Sequence, residues 1–254
     1  MVLWGMGWTI AGQQAVVTGG GRGIGRSIAR ALTQAGAVVT ILGRNGTVLD
    51  EAVAAGDAAA RRVVDVTDRG ALLAALIDRE WGILVNNAGA AETNKLADMG
   101  PDQWDRAIAL NLTAVFDACH AVLPGMMARG AGRVISIAST AGLVGYPYVS
   151  AYCAAKHGVV GLTRALAMET ARTGVTVNAV CPGFTDTDLV TRSATAVAAR
   201  TGRDAADIRA SYARTNPMGR LIDPAEVADA VLYLCRAGAM TGQALSVSGG
   251  EVMP

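Results

Sequence analysis

The sequence alternates short β-branched runs with longer helical stretches, and this order restricts the folds open to it. The strand candidates are AVVT (15–18), VVTIL (38–42), RVVDV (62–66), ILVNN (83–87), RVISIAS (133–139), VTVNAV (175–180) and ALSVSG (244–249). Helical patterns cover 23–35, 47–55, 68–80, 102–128, 150–172 and 224–236. Strands without two-residue alternation are typical of a parallel sheet covered by helices on both faces. The repeated β-α order therefore predicts a Rossmann-type, doubly wound α/β fold with seven parallel strands.

The composition is that of a globular protein. Hydrophobic residues make up 52% of the 254 residues and charged residues 17%, which suffices for a large core. No linker or repeat divides the chain, so we expect a single domain over 1–254. The net charge is +1 and the basic residues are scattered, which disfavours a nucleic-acid or anionic-membrane partner.

The cysteines and the apolar segments bear on where the protein works. Four cysteines stand far apart without a C-x-x-C pair, which indicates buried thiols in a reducing compartment and neither disulfides nor a metal site. The apolar segment 1–12 lacks a basic region and a clear cleavage site. No apolar run reaches the roughly 18 residues needed to span a bilayer. We expect a cytoplasmic protein without a membrane partner.

A glycine-rich turn follows the first strand candidate, in the pattern T-G-x-x-x-G-x-G over 18–25. Glycines permit a tight turn, and the amides of the following helix N-terminus favour an anion such as a pyrophosphate. The turn could be structural only, but five glycines in seven residues favour dinucleotide binding. The candidate residues are Gly19, Gly21, Arg22, Gly23, Ile24 and Gly25.

The end of the second strand candidate carries an arginine where an NAD site usually has an acid. An Asp or Glu there would hold the ribose 2′-hydroxyl. Here Arg44 follows the strand and the next acid is Asp50. Arg22 and Arg44 suit a 2′-phosphate, which predicts NADP(H) in preference to NAD(H). The alternative is that both are solvated surface arginines.

Two further strand ends carry candidate cofactor contacts. Asp65 and Val66 end the third strand candidate and are expected to meet the adenine, although Asp65 could equally cap the next helix. The fourth ends in N-N-A-G, where Asn87, Ala88 and Gly89 leave room for a ribose or form only a turn.

Tyr152 and Lys156 stand four residues apart in a helical stretch, so their side chains share one face. A phenol has a pKa of about 10, and an ammonium within about 4 to 6 Å would lower it. Ser139 would add a hydroxyl from a neighbouring strand end. Together the three predict a proton-transfer site for a carbonyl or an alcohol.

Other candidates come from the middle and the end of the chain. Asn111 is a polar residue in an apolar helical stretch, which is more often a core amide than a catalytic group. After the sixth strand candidate, the threonine hydroxyls are expected to face the nicotinamide amide or the pyrophosphate. The residues of this loop are Pro182, Gly183, Thr185 and Thr187. The Ala-, Thr- and Arg-rich segment 188–217 is interpreted as a substrate lid, or else as a merely decorative helical insertion.

With these motifs in one order, the chain from Gly12 to Gly250 resembles the short-chain dehydrogenase/reductase family. The resemblance implies that Tyr152 protonates the carbonyl oxygen while NADPH delivers hydride. It also implies that Lys156 lowers the tyrosine pKa and binds the nicotinamide ribose, that Ser139 orients the carbonyl, and that Asn111 holds a water linking Lys156 to solvent. No metal is implied.

Within the family, the runs 154–163 and 174–184 and the closing SVSGGEVMP are similar to bacterial β-ketoacyl and polyketide ketoreductases and 3-hydroxyacyl-CoA dehydrogenases. Arg192, Arg200 and Arg203 are then candidates for a phosphopantetheine or CoA phosphate, unless they are simply solvated. The resemblance also implies a homodimer or homotetramer.

Three functions follow from the sequence. The first is NADPH-dependent reduction of a ketone, such as a 3-oxoacyl thioester, to a secondary alcohol. The second is a dehydrogenase that oxidises a secondary alcohol or a 3-hydroxyacyl-CoA. The third is a non-catalytic dinucleotide-binding regulator, which the intact set of Ser139, Tyr152 and Lys156 disfavours.

Overall fold

A seven-stranded, fully parallel sheet forms the centre of the computed structural model, which describes residues 8–253. Its strands are β1 (Gln14–Thr18), β2 (Val38–Gly43), β3 (Ala60–Val63), β4 (Ile83–Asn86), β5 (Gly132–Ile137), β6 (Val175–Pro182) and β7 (Ala244–Val247). Their order across the sheet is β3-β2-β1-β4-β5-β6-β7. The order reverses between β1 and β4, and ligands of such sheets bind beyond the strand ends at this switch point.

Helices cover both faces of the sheet. They are α1 (Gly23–Gln34), α2 (Gly46–Ala54), α3 (Arg69–Leu76), α4 (Pro101–Ile108), α5 (Ala114–Arg129), α6 (Ser150–Thr170), α7 (Asp188–Thr201), α8 (Ala205–Thr215) and α9 (Pro224–Arg236). Buried residues of α1, α2 and α9 pack on one face, and those of α3, α5 and α6 on the other. The predicted Rossmann-type fold is confirmed.

The strands differ in burial between the centre and the edges of the sheet. Every residue of β4, β5 and β6 is buried, as expected for strands apolar on both faces. The edge strand β3 instead alternates half-buried and exposed residues, and β7 is half-buried throughout. The prediction of strands without alternation is therefore wrong for β3, because an edge strand is covered on fewer sides.

Some predicted boundaries shift in the structure. β3 ends at Val63, so Asp65 and Val66 lie in the loop after the strand and not at its end. β7 ends at Val247 and α3 at Leu76, both earlier than predicted. Ser139 follows β5 and caps a short 3₁₀ helix, Thr140–Gly142.

α4 and α5 form one continuous helix, Pro101–Arg129, joined by a π-helical turn at Ala109–Thr113. By length and hydropathy alone this helix would be able to cross a membrane, contrary to the sequence expectation. In the fold, its buried residues Val115, Val122 and Met126 pack in the same cluster as α3 and α6. It is therefore a core helix that covers the sheet.

Candidate active site

The glycine-rich turn between β1 and α1 packs too closely to accept side chains. Gly19 has φ +65°, and a Cβ there would lie 2.9 Å from Asn87 Nδ2. A Cβ on Gly25 would lie 2.3 Å from the Gly19 carbonyl oxygen. Gly23 opens α1 with φ +52° and lies beside Thr187. Only glycine allows the backbone to fold this tightly.

The turn is tied to the end of β4, across the switch point of the sheet. Thr18 Oγ1 accepts hydrogen bonds from the backbone N–H groups of Asn87 (2.9 Å) and Ala88 (3.0 Å). Asn87 Nδ2 donates to the carbonyls of Thr18 (2.9 Å) and Gly19 (3.2 Å). These hydrogen bonds between Thr18, Asn87 and Ala88 hold the turn in place, so Thr18 is a positioning residue. Its only sign in the sequence is the threonine that begins the T-G-x-x-x-G-x-G motif.

This corner fits the pyrophosphate of a dinucleotide. The amides at the N-terminus of α1, around Ile24, lack partners within the helix, as in any α-helix, and carry the positive end of its dipole. Arg22 precedes the helix with an exposed side chain and makes no side-chain cap. A Cβ at Gly19 or Gly25 would overlap Asn87 and the backbone of the turn, so these glycines keep the turn closely packed against the end of β4.

Arg44 lies at the end of β2, with its side chain 75% exposed. Its guanidinium is 3.9 Å from Asp65, a separation at which a solvated pair contributes little. Gly21, next to Arg22, and Gly43, next to Arg44, both lie against Leu49 of α2, so the two arginines flank the same corner.

Asp65 and Val66 lie in the loop after β3, and the structure shows what their side chains contact within the protein. Asp65 accepts hydrogen bonds from the backbone and hydroxyl of Thr67, and these hold its pKa below the usual range. α3 is capped instead by Asp68, so the capping alternative for Asp65 is wrong. The Val66 side chain is buried in the apolar core, which leaves only its backbone for a ligand.

Ser139, Tyr152 and Lys156 converge beyond the carboxyl end of β5. Tyr152 and Lys156 lie in the first two turns of α6, with Lys156 Nζ 5.6 Å from the centre of the tyrosine ring. Lys156 Nζ also donates to the Ile137 carbonyl at 2.7 Å, which fixes the buried ammonium at the strand end. Ser139 Oγ accepts from the backbone of Ala141 at 3.1 Å. The structure thus brings Ser139, Tyr152 and Lys156 together, as the sequence predicted.

The predicted direction of the tyrosine shift is wrong for this structure. Burial raises the pKa of Tyr152 to about 12, and the hydrogen bond with Ser139 offsets only part of this increase. Burial also lowers the pKa of Lys156 to about 8. At neutral pH, Tyr152 therefore holds its proton, and Lys156 is mostly an ammonium.

Asn111 lies in the π-helical turn and is buried. Its side chain accepts from the Ala90 backbone and donates to the carbonyls of Ala90 and Ala107. A Cβ on Gly89 would lie 2.8 Å from Asn111 Oδ1 and 3.6 Å from Lys156 Nζ. The amide oxygen and the ammonium therefore border the same small space, which links Asn111 to the Lys156 region as the resemblance implied.

The loop after β6 runs beside both the set of Ser139, Tyr152 and Lys156 and the glycine turn. Pro182 ends β6, and the buried Thr185 donates its hydroxyl proton to the Gly183 carbonyl at 3.0 Å. Thr187 precedes α7 and donates to the Thr185 carbonyl at 3.3 Å. Both threonine hydroxyls are engaged within the loop, and Thr187 reaches the glycine turn through its methyl group.

Segment 188–217 forms two helices, α7 and α8. Tyr212 of α8 stacks on Phe184 with ring centres 4.5 Å apart, and Arg209 pairs with Asp186. From the end of α7, Arg200 donates to the Thr93 carbonyl at 2.7 Å, while Arg192 and Arg203 are exposed. Arg200 thus connects this segment to the loop after β4.

Tyr146 and Glu251 form a second pair of groups near this site, which sequence analysis did not predict. Tyr146, in the loop between Ser139 and Tyr152, donates a hydrogen bond from its hydroxyl to Glu251 Oε1. Glu251 lies in the tail beyond β7, 105 residues further along the chain. Contacts between such distant segments leave no periodic pattern in a sequence, so no motif could have found this one.

The fold and the site define a class of protein. A doubly wound sheet, a glycine turn at its switch point and a Tyr-Lys-Ser set beside it are the parts of a nicotinamide-dependent oxidoreductase of the Rossmann type. In the described residues, no group of three or more His, Cys, Asp or Glu side chains is placed to hold a metal ion.

Comparison with known proteins identifies the family. The short chain dehydrogenase family model matches residues 13–198. The chain is 40% identical to the 3-oxoacyl-[acyl-carrier-protein] reductase FabG of Vibrio harveyi, over 96% of this chain and 99% of the relative. It is 39% identical to a D-beta-hydroxybutyrate dehydrogenase of Rhizobium meliloti, over 93% and 97% respectively. This protein therefore belongs to the short-chain dehydrogenase family.

A solved structure agrees with this assignment. A variant of actinorhodin polyketide ketoreductase, crystallised with NADPH, superposes with a TM-score of 0.88 at 38% identity. The alignment covers 94% of this chain and 97% of that one. The resemblance seen in the sequence motifs, the fold class and the assignment as an oxidoreductase enzyme are confirmed.

Proposed function

We propose that this protein is an NADPH-dependent reductase that converts a ketone, such as a 3-oxoacyl thioester, to a secondary alcohol. The observation that carries the proposal is the convergence of Ser139, Tyr152 and Lys156 beyond the end of β5. The relatives named as a 3-oxoacyl reductase and a polyketide ketoreductase support the substrate class.

Each residue of the set has a role that follows from its environment. Bound NADPH would supply the hydride. Tyr152 is a neutral phenol at physiological pH, so it holds the proton that the carbonyl oxygen needs. The Ser139 hydroxyl, hydrogen-bonded with Tyr152, orients the carbonyl and stabilises developing negative charge.

Lys156 and Asn111 act after Tyr152 has given its proton to the carbonyl oxygen. The Lys156 ammonium stabilises the phenolate that remains on Tyr152, since the opposite charges lie in a site of low dielectric. The space between Lys156 and Asn111 beside Gly89 suits a water that returns the proton from solvent. This water path is part of the proposal.

The protonated state of Tyr152 matches the proton donor that ketone reduction needs. The relative named D-beta-hydroxybutyrate dehydrogenase keeps the oxidative alternative as a second candidate. Because Ser139, Tyr152 and Lys156 form one site, a non-catalytic regulator is the weaker hypothesis.

The test is NADPH oxidation, followed by absorbance, with a panel of ketones, diketones and 3-oxoacyl thioesters. Because such an enzyme catalyses both directions, the preferred substrate and cofactor separate the two enzyme candidates. We expect a 3-oxoacyl thioester with NADPH to give the highest kcat/KM of the panel. A preference for NADH and for a different ketone of the panel would support the dehydrogenase, and no turnover with any compound would support the regulator.

The preference for NADP(H) rests on Arg44 and Arg22 at the glycine-turn corner. Arg44→Ala is expected to lower kcat/KM with NADPH about tenfold or more and to leave that with NADH nearly unchanged, because only NADPH carries the 2′-phosphate. Arg172→Ala changes another exposed arginine, in the turn that follows α6, and is the matched control. A tenfold preference of the wild type for NADH would contradict this assignment.

We also propose a cytoplasmic homodimer or homotetramer, with segment 188–217 acting as a lid over the substrate. Exposed apolar side chains on α5 and α6, such as Phe116 (45% exposed) and Met168 (80%), support assembly through these helices. The contact of Arg200 with Thr93 supports a lid that meets the opposite side of the cleft.

A further inference from the structure

The Glu251 carboxylate lies beside the catalytic set although it is far from it in sequence. Its Oε1 accepts the hydroxyl proton of Tyr146. That hydroxyl also interacts with Thr140, the residue after Ser139, and the Tyr146 carbonyl lies 4.0 Å from the thiol of Cys153, the residue after Tyr152. Tyr146 therefore holds Glu251 against the wall that carries two of the catalytic residues.

The other carboxylate oxygen faces the opposite wall. Glu251 Oε2 is buried and has no hydrogen-bond partner. A Cβ on Gly183 would lie only 2.6 Å from it. Gly183 follows Pro182 and Cys181, and the Cys181 thiol interacts with both Lys156 and the Ser139 backbone. Glu251 is thus bracketed by the two chain segments that enclose the catalytic set.

No basic side chain compensates this carboxylate. Within residues 8–253, neither a salt bridge nor a hydrogen bond joins Glu251 to a lysine, arginine or histidine. The ammonium of Lys156 is engaged with Ile137 and faces Tyr152. A substrate carboxylate bound at the Ser139, Tyr152 and Lys156 set would come near this carboxylate, which no cation pairs with, and repulsion between two such charges is much stronger in a poorly solvated site than in water.

We propose that Glu251 is a specificity-determining residue that excludes free 3-oxo acids and restricts the enzyme to 3-oxo compounds with a neutral carbonyl end, such as thioesters, esters and amides. This inference rests on the proposed ketone reduction and narrows its substrate class. Overall sequence similarity does not decide whether the substrate is a free acid or a neutral derivative such as a thioester. The 3-oxoacyl-[acyl-carrier-protein] reductase and the D-beta-hydroxybutyrate dehydrogenase are almost equally similar to this chain, at 40% and 39% identity.

The test compares 3-oxobutyrate with 3-oxobutyramide, which has nearly the same shape without the charge. The carboxylate of 3-oxobutyrate is two carbons from the reacting carbonyl, so its charge stays close to the pocket wall in any orientation. We measure kcat/KM with NADPH for the wild type and Glu251→Gln, a change that keeps the size and the acceptor for Tyr146. Both compounds are also tested as competitive inhibitors of reduction of the best ketone found.

The wild type is expected to favour the amide over the acid by about 50-fold or more in kcat/KM or in inhibition constant. Glu251→Gln should lower this ratio at least tenfold, mainly through KM or the inhibition constant of 3-oxobutyrate. Reduction of the best neutral ketone by the variant reports that it is folded. Glu169→Gln makes the same chemical change on the exposed far end of α6 and should leave the ratio unaltered.

Two results would overturn the inference while leaving the proposed function intact. One is a wild type with the same kcat/KM, or the same inhibition constant, for 3-oxobutyrate and 3-oxobutyramide. The other is a ratio that Glu251→Gln changes by less than twofold. A wild type that reduces no ketone at all would refute the proposed function and this inference together.

Discussion

The Tyr152 hydroxyl lies in an environment that favours its neutral form. Burial raises its pKa to about 12, and Ser139 is the hydrogen-bond partner that lowers it. A ketone reductase needs this proton in the ground state and needs the nearby Lys156 charge only once the proton has left. Proton donor and compensating cation are thus separate residues one helical turn apart.

Tyr152→Phe removes only the hydroxyl and is expected to lower kcat for ketone reduction at least a thousandfold, within the range of general acid catalysis. The dissociation constant of NADPH, measured by fluorescence, should change less than threefold because the ring and the glycine turn remain. Tyr233→Phe, on the exposed side of α9, is the matched control. A kcat within a factor of two of wild type would show that Tyr152 is not the proton donor.

The pH dependence of reduction should follow Lys156. Its pKa is lowered to about 8 by burial, so the ammonium is present below that pH and lost above it. We therefore expect kcat/KM for reduction to be flat from about pH 6 to 7 and to fall above pH 8 as the positive charge disappears. Initial rates with NADPH across this range measure it.

Lys156→Arg provides the control for this pH profile, because a guanidinium keeps its charge throughout the range. Whatever activity the variant retains should no longer fall near pH 8. An unchanged fall in Lys156→Arg would assign the titration to another group.

At the scale of residues, the sequence predicted that Tyr152 and Lys156 lie together, but it did not predict the direction in which the pKa of Tyr152 is shifted. Four-residue spacing placed Tyr152 and Lys156 together correctly, because helix geometry is local. The direction of the tyrosine shift depends on how deeply the ring is buried, which is a property of tertiary packing and not of spacing.

At the scale of elements, the turn from β1 to α1 is the most tightly packed part of the site. A Cβ on Gly25 would lie 2.3 Å from the Gly19 carbonyl oxygen and 2.4 Å from Asn87 Nδ2. Neither the backbone oxygen nor the amide held by Thr18 is free to move away. The first turn of α1 and the end of β4 therefore form one rigid unit.

Gly25→Ala is expected to weaken NADPH binding at least tenfold and to lower the melting temperature by several degrees, because the turn must open to admit the methyl group. Gly70→Ala in the first turn of α3 is the control, since its Cβ would meet only Asp68 at an ordinary 3.5 Å. That change should leave binding intact and stability equal or slightly higher. Equal NADPH affinity for both variants would contradict the packing argument.

Helix and strand order were predictable, while local irregularities were not. The bounds of α9 matched the prediction, because Asp223 and Pro224 begin a helix recognisably. The early end of β3 was missed, because apolar residues continue past it as Val64 and Val66 and enter the core from a loop. The π-helical turn has the same apolar pattern as an α-helix, so nothing in the sequence marked it.

At the scale of the whole molecule, the parallel sheet explains how residues from distant parts of the chain meet. All strands end at one edge, so residues following β1, β4, β5 and β6 reach one cleft. The repeated β-α order predicted this convergence. It did not predict the return of the chain's tail to the same cleft through Glu251, because that contact depends on side chains 105 residues apart.

The whole molecule is expected to assemble into a homodimer or a homotetramer. Light scattering should give a mass of two or four times 25.9 kDa. Phe116→Asp on α5 should shift this mass toward the monomer, because a charge would be buried in the interface. Ile77→Asp is the control, since Ile77 is 71% exposed at the end of α3. A monomeric wild type would contradict the proposed assembly.

The π-helical turn at Ala109–Thr113 gives the chain an unusual intolerance to changes in length. Its extra residue is inserted between α4 and α5 and brings the Asn111 amide to the space beside Gly89. Loss of one residue from the turn would restore regular α-helical winding and withdraw the Asn111 amide from the space beside Gly89, while α4 and α5 keep their own winding. A single deletion would then interrupt the proposed water path while leaving the composition and hydropathy of the helix almost unchanged.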